Sequence, residues 1–198
     1  MIDNFELIKG LLKFDSPDDF YHLQILKRKK ENPELGSNSY VVKTYYIKSV
    51  EYLEKKQNEI INLCEFNNAR ACINLNRRSF EKLAFQMLKK VTDQIMNKDF
   101  KSVRKAYESV CGAYSNEPNK KWIIDIDYKD ISEEEREVIY NYIKLLIKET
   151  GKDETIPIIP TKNGEHWITS PFNLGIFREN YGGTIDVHKD NPTILYIN

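Results

Sequence analysis

The six residues Trp122-Ile123-Ile124-Asp125-Ile126-Asp127 constrain this chain more than any other stretch. They read as a buried strand that ends by presenting two carboxylates. Side chains on a strand alternate between faces, so Asp125 and Asp127 share one face and Ile124 and Ile126 share the other. Two carboxylates held side by side repel, and the arrangement costs free energy unless a cation or a shared proton relieves it. Mg²⁺ and Mn²⁺ do this well, because hard cations choose oxygen ligands. The plain alternative is a strand end with two exposed aspartates that open a solvated loop, continued by Lys129 and Asp130.

The rest of the chain arranges itself around that strand. Phe5, Ile8, Leu11 and Leu12 recur at helical spacing before Ser16-Pro17 breaks the pattern. Residues 20–26 and 40–47 read as strands of a hairpin, with Asn32-Pro33-Glu34-Leu35-Gly36 as turn chemistry and four consecutive basic residues, Lys27 to Lys30, at its tip. Ser49 caps a polar helix over 50–63, and Ala71, Ile73 and Leu75 alternate as a strand ending at Asn76-Arg77-Arg78. Ser79 caps a periodic helix whose stripe is Phe80, Leu83, Ala84, Met87, Leu88, Val91 and Ile95. A second helix is expected over 100–111, stopped by Gly112, with a loop over 114–120. After Asp127, Ser132 and Glu135 form a capping box for a helix to about Thr150, with Val138, Ile139, Tyr142, Leu145 and Leu146 inward and Gly151 at its end. Short strands come next at 155–160, 166–169, 184–187 and 193–197, with a tight turn at 161–165 and a glycine-containing loop over 171–183. The expected fold is α+β, a single domain over 1–198 with helices on a mainly antiparallel sheet. Residues 1–112 form an N-terminal α/β module, and residues 113–198 form a second half that carries the acidic strand, His166 and Asp186.

Composition limits the function classes. At 198 residues with 40% apolar content the chain can bury a sizeable core, and no apolar run approaches the length needed to cross a bilayer. Asp3 and Glu6 near the start are wrong for a secretory signal, so a cytoplasmic, non-membrane protein is the expectation. Cys64, Cys72 and Cys111 are odd in number and lack metal-ligand spacing, which argues for reduced thiols in or near a core. Net charge is zero, yet residues 77–105 hold nine Lys or Arg against three Asp or Glu, while residues 120–154 hold seven against ten. A basic segment beside an acidic site is a candidate polyanion track, and a solvated helix face is its plain counterpart.

Three features of the second half form an ordered set: Asp125-Ile126-Asp127 at a strand end, Thr161-Lys162-Asn163-Gly164-Glu165-His166 entering a strand through a turn, and Ile185-Asp186 in a short strand beyond. The set resembles the archaeo-eukaryotic primase (primase-polymerase) superfamily, in the form found in small phage and plasmid members. The resemblance covers roughly residues 120–190. It departs from the pattern where a Ser often stands two before the His, which is Gly164 here, and no zinc-binding cysteine cluster is present. The third acid is Asp186 or Asp190; flanking Ile185 and Val187 favour Asp186.

The resemblance implies an RRM-like catalytic core and a DNA-directed nucleotidyltransferase using Mg²⁺ or Mn²⁺. It implies that Asp125, Asp127 and Asp186 hold the metal and that His166 contacts the triphosphate. From charge alone, Lys162, Arg77 and Arg78 are candidates for substrate phosphates, and Lys27 to Lys30 with the basic run for the template backbone. Implied partners are nucleoside triphosphates, single-stranded or primed nucleic acid, and a helicase or other replication protein. Two other classes fit the same residues: a metal-dependent nuclease or phosphodiesterase, and a non-catalytic nucleic-acid-binding replication accessory protein. Each residue also has a plain reading. His166 beside Trp167 is then a half-buried histidine, Asp186 initiates a turn, and Arg77 and Arg78 are solvated or pair with acids on the helix that follows.

Overall fold

A computed structural model of the chain describes residues 1–115 and 117–198. In chain order the elements are β1 (Ile2–Asp3), α1 (Phe5–Lys9), β2 (Asp19–Arg28), β3 (Ser39–Ile47), α2 (Val50–Asn67), β4 (Arg70–Asn74), β5 (Arg78–Ser79), α3 (Phe80–Met96), α4 (Ala106–Ala113), β6 (Trp122–Asp127), α5 (Glu133–Lys148), β7 (Ile158–Pro160), β8 (Gly164–Thr169), α6 (Leu174–Tyr181), β9 (Asp186–His188) and β10 (Pro192–Ile197). The fold is α+β, and every strand pairing among the described residues is antiparallel.

The strands form two sheets rather than one. The first runs β1-β10-β4-β2-β3, with β5 also paired to β2, and the second runs β7-β8-β6-β9. The second sheet is a strand–helix–strand–strand–helix–strand unit in which the first strand, β6, lies inside between the third and the fourth, the split βαβ plan. β10 then leaves this unit and inserts between β1 and β4. The last strand therefore crosses the division drawn at residue 113.

β6 divides its side chains as its alternation requires. Ile124 and Ile126 are fully buried in a cluster with Ile139, Ile143, Leu146 and Ile147 of α5 and Phe177 of α6. Ile123 faces the other way and joins the larger cluster built from the first sheet, α1 and α2. Each such isoleucine gains about 1.5–3 kcal/mol from burial. That gain fixes the register, since a one-residue slip would drive both aspartates into the α5 core. Two asparagines hold the sheets together. Asn4 Nδ2 donates to Pro160 O and Ile194 O, both at 3.0 Å. Asn76 Nδ2 donates to Lys121 O at 2.9 Å, and its Oδ1 accepts from Lys121 N at 2.7 Å.

Local signals set most helix starts. The Ser49, Ser79 and Ser132 side chains each accept a backbone N–H three residues on, and Glu135 completes the capping box. α2 runs past Leu63 to Asn67 and closes on Asn68 in the left-handed region at φ 47°. Three expectations are corrected. Residues 171–183 are not only loop, because Asn173 caps α6 and Phe177 anchors it in the core. The helix expected from residue 100 is a 3₁₀ turn over Ser102–Lys105 followed by α4, which runs through Gly112 instead of stopping there. α5 buries Ile139, Ile143, Leu146 and Ile147, while Val138 and Leu145 face solvent. The apolar stripe of α3 buries only Leu83. The loop expected over 114–120 contains Asn116, which lies outside the described residues.

Candidate active site

The register of the second sheet brings the predicted residues together. Asp125 of β6 stands directly opposite His166 of β8 on one side and Asp186 of β9 on the other. Directly opposite residues share a face, so the three form a row across the sheet. Asp127 is the next residue on that face, opposite Gly164, and Ile123 is the previous one, opposite His188. The paired acids and the imidazole are therefore on the same side of the sheet.

The row opens into a cleft of about 670 Å³ between the two sheets. Asp125, Asp127, His166 and Lys162 line it from the second sheet and its turn, and Arg28, Lys30 and Arg70 line it from the first. Asp186 stands exposed at the rim beside Asp125. The side chains of Asp125 and Asp127 are 39% and 47% exposed, so both carboxylates can be reached from solvent.

His166 is fixed from both ends. Its Nδ1 lies 2.8 Å from the buried Thr193 hydroxyl of β10, and its Nε2 lies 3.5 Å from Asp125 Oδ1. A carboxylate beside Nε2 favours the tautomer with its proton there, so that Nε2–H points into the cleft and Nδ1 accepts from Thr193. Burial holds the imidazole below its ordinary pKa against the pull of Asp125, with His188 and Arg70 adding to the lowering. The group is a neutral donor near pH 7.

Gly164 is the position at which a Ser often precedes the His by two. A Cβ here would meet Ile126 O at 1.8 Å. Glycine lets β8 close against β6 where Asp127 emerges, so the departure from the pattern has its cause in backbone contact.

Arg77 and Arg78 do not reach this cleft. The Arg77 guanidinium is buried among Asp15, Asp19 and Glu117, at 2.5, 3.0 and 3.4 Å. Arg78 is fully buried, donates to Cys111 O and Asn76 O, and pairs with Asp190 at 3.1 Å. Their partners are spread from residue 15 to residue 190, which a strand-end reading had no means to anticipate. The Arg78 contact also engages Asp190, the other contender for third acid, in a structural pair. Thr193, Arg70 and His188 were missed as site residues. Thr193 has no local signature; its place depends only on β10 joining the first sheet.

Among the described residues, no three His, Cys, Asp or Glu side chains converge closely enough to enclose a metal ion. The donor set still suits Mg²⁺ or Mn²⁺, which are commonly held by one or two carboxylates with substrate phosphates and water completing the shell. Asp125 and Asp127, on one face and open to solvent, supply that pair. No helix among the described residues is long and apolar enough to cross a membrane. Comparison with models of protein families, with curated proteins and with solved structures finds no match.

Proposed function

We propose that the chain is a primase-polymerase-like nucleotidyltransferase that joins a nucleotide to a 3′-hydroxyl on a nucleic-acid template. One observation carries the reading: Asp125 sits between His166 and Asp186 in a single cross-strand row, beside a cleft whose far wall is basic. The β6-α5-β7-β8-α6-β9 order supports an RRM-like core of the kind the resemblance implies. An acidic pair facing cations suits a substrate that brings both a metal and several phosphates.

In the reaction a 3′-hydroxyl attacks the α-phosphate and pyrophosphate leaves. Asp125 and Asp127 would hold the metal from one sheet face, with the Asp186 carboxylate standing at the rim. An ion bound there would supply charge neutralisation at the attacking and leaving oxygens. His166 donates Nε2–H to a triphosphate oxygen, and Thr193 keeps the ring aimed. Lys162 reaches the same phosphates from its turn. Arg28, Lys30 and Arg70 hold template or nucleotide phosphates through sequence-independent, salt-sensitive contacts. Arg70 shares its charge with Glu31, so its grip is tuned rather than free.

The test is nucleotide incorporation on a primed template in Mn²⁺. Wild type extends the primer, and Asp125→Ala and Asp127→Ala each reduce extension to background while keeping the circular-dichroism spectrum of the parent. Cleavage of nucleic acid without incorporation would instead assign a phosphodiesterase. Binding that survives Asp127→Ala, with neither activity in wild type, would assign an accessory module.

A further inference from the structure

A second cleft, of about 620 Å³, shares no lining residue with the first. Lys13, Lys120, Lys121 and Lys152 line it, together with Arg77 and Thr169. Three carboxylates also line it, and their commitments matter. Asp15 and Glu117 are drawn to Arg77, and Asp153 accepts from Thr155 N at 2.9 Å. The lysines keep their charge for the cavity. Among the described residues Lys13 forms no ion pair or hydrogen bond through its ammonium, and Lys152 reaches only Pro171 O, at 3.4 Å. Lys120 donates to Ser115, and Lys121 donates to Leu75 O at 3.2 Å. Among the described residues none of the four lies within ion-pair distance of a carboxylate, although Lys13 acts on Asp15 and Asp153 at longer range and Glu117 on Lys121.

Two observations point to an absent anion. Thr169 is 1% exposed, lines this cavity, and its hydroxyl has no hydrogen-bond partner among the described residues. An unpaired buried hydroxyl costs about 1–3 kcal/mol, so its retention calls for a partner within the cavity. Charge is the second: burial disfavours the Lys121 ammonium, Glu117 works against that, and Lys13 and Arg77 add to the lowering. Lys13, Lys120, Lys121, Lys152 and Arg77 outnumber the three carboxylates of the lining. The remaining wall, with Leu11, Pro118 and Pro157, has no aromatic ring to stack a base.

We propose that this second cleft binds a small molecule carrying two or more phosphoryl groups, its oxygens held by Lys13, Lys120, Lys121 and Lys152 with the Thr169 hydroxyl donating a hydrogen bond. Occupancy here would be felt at the acidic cleft, because Ile168 and Thr169 come after His166 on β8 and Lys121 directly precedes β6.

The experiment is calorimetric titration of the full chain with inorganic pyrophosphate in EDTA, where a metal-dependent site is silent. Pyrophosphate is expected to bind near one to one and more tightly than phosphate or sulfate. The double variant of exposed residues, Lys13→Ala with Lys152→Ala, should weaken binding about tenfold or more, and Thr169→Val, which keeps the shape, should lose about tenfold, the worth of a hydrogen bond to a charged group. Asp125→Ala should bind as wild type does. Failure of pyrophosphate to bind at millimolar concentration would overturn the proposal, as would unchanged affinity in the double lysine variant. Displacement of pyrophosphate by a single-stranded oligonucleotide acting through the same lysines would overturn it in favour of a nucleic-acid track.

Discussion

Two groups of acids in this chain meet opposite fates. Asp15, Asp19, Glu117 and Asp190 gather around two arginines that are almost or wholly buried. Asp125, Asp127 and Asp186 gather around no guanidinium; the nearest cation to Asp127 is the exposed Lys129, at 3.9 Å. Asp19 shows the first fate fully: its Oδ2 accepts from Asp15 N, Ser16 N and Arg77 Nη1, and the residue is 3% exposed. Asp125 shows the second, half open to solvent beside a neutral imidazole. An acid that holds the fold is given a permanent buried counter-charge. Asp125, Asp127 and Asp186 have no such buried counter-charge, and the fold bears their repulsion.

The contrast can be broken or sharpened by substitution. The largest effect is expected from Arg78→Ala, which strands Asp190 and two carbonyls; removing one partner of a buried pair costs about 3–5 kcal/mol, read from the urea midpoint. A loss below about 1 kcal/mol would break the comparison, since surface pairs are worth that much. Gly164→Ala comes next. Its Cβ forces β8 away from Ile126 O, and such overpacking costs about 1–3 kcal/mol and should impair incorporation by moving His166.

Acid ranks third. Burial holds His22 and His166 below their ordinary pKa. The unfolded chain therefore takes up protons at higher pH than the folded one, and stability falls as pH drops through about 6.5. Each histidine contributes a slope of at most about 1.4 kcal/mol per pH unit, and urea midpoints at pH 7.5 and 5.5 measure it. Replacing either histidine with Gln should flatten the difference; an unchanged slope would contradict the buried, neutral assignment. The smallest effect is Asp125→Asn. Relieving repulsion between exposed carboxylates should raise stability slightly, by about 0.5 kcal/mol or less, read as a small rise in melting temperature. Asp19→Asn should do the opposite, by several times as much.

The strand at 122–127, the three serine caps and the capping box were legible because each depends on residues within a few positions of one another. The cross-strand row of Asp125, His166 and Asp186 came from alternation plus an assumed common sheet. What was hidden depended on distant partners. Phe177 makes a helix of a segment whose glycines advertise loop, and Val138 and Leu145 are left outside because α5 presents Ile139 and Ile143 to β6. Arg77 and Arg78 looked like ligands for phosphate because their charge is visible in the chain and their acids are far away in it. The stripe on α3 shows the converse: a strong helical period predicts a helix without naming what, if anything, covers it.

The placement of β10 has a consequence for synthesis. A ribosome delivers β4 long before the strand that will pair with it, so Ala71 to Asn74 must wait with one edge open while α3, α4 and the whole second sheet emerge. Pairings so distant in the chain are slow to form, and open edges invite other chains in the meantime. Thr193 travels on that late strand, so the imidazole of His166 acquires its tether only at the final docking step, and a nascent chain carries its aspartates well before that ring is fixed.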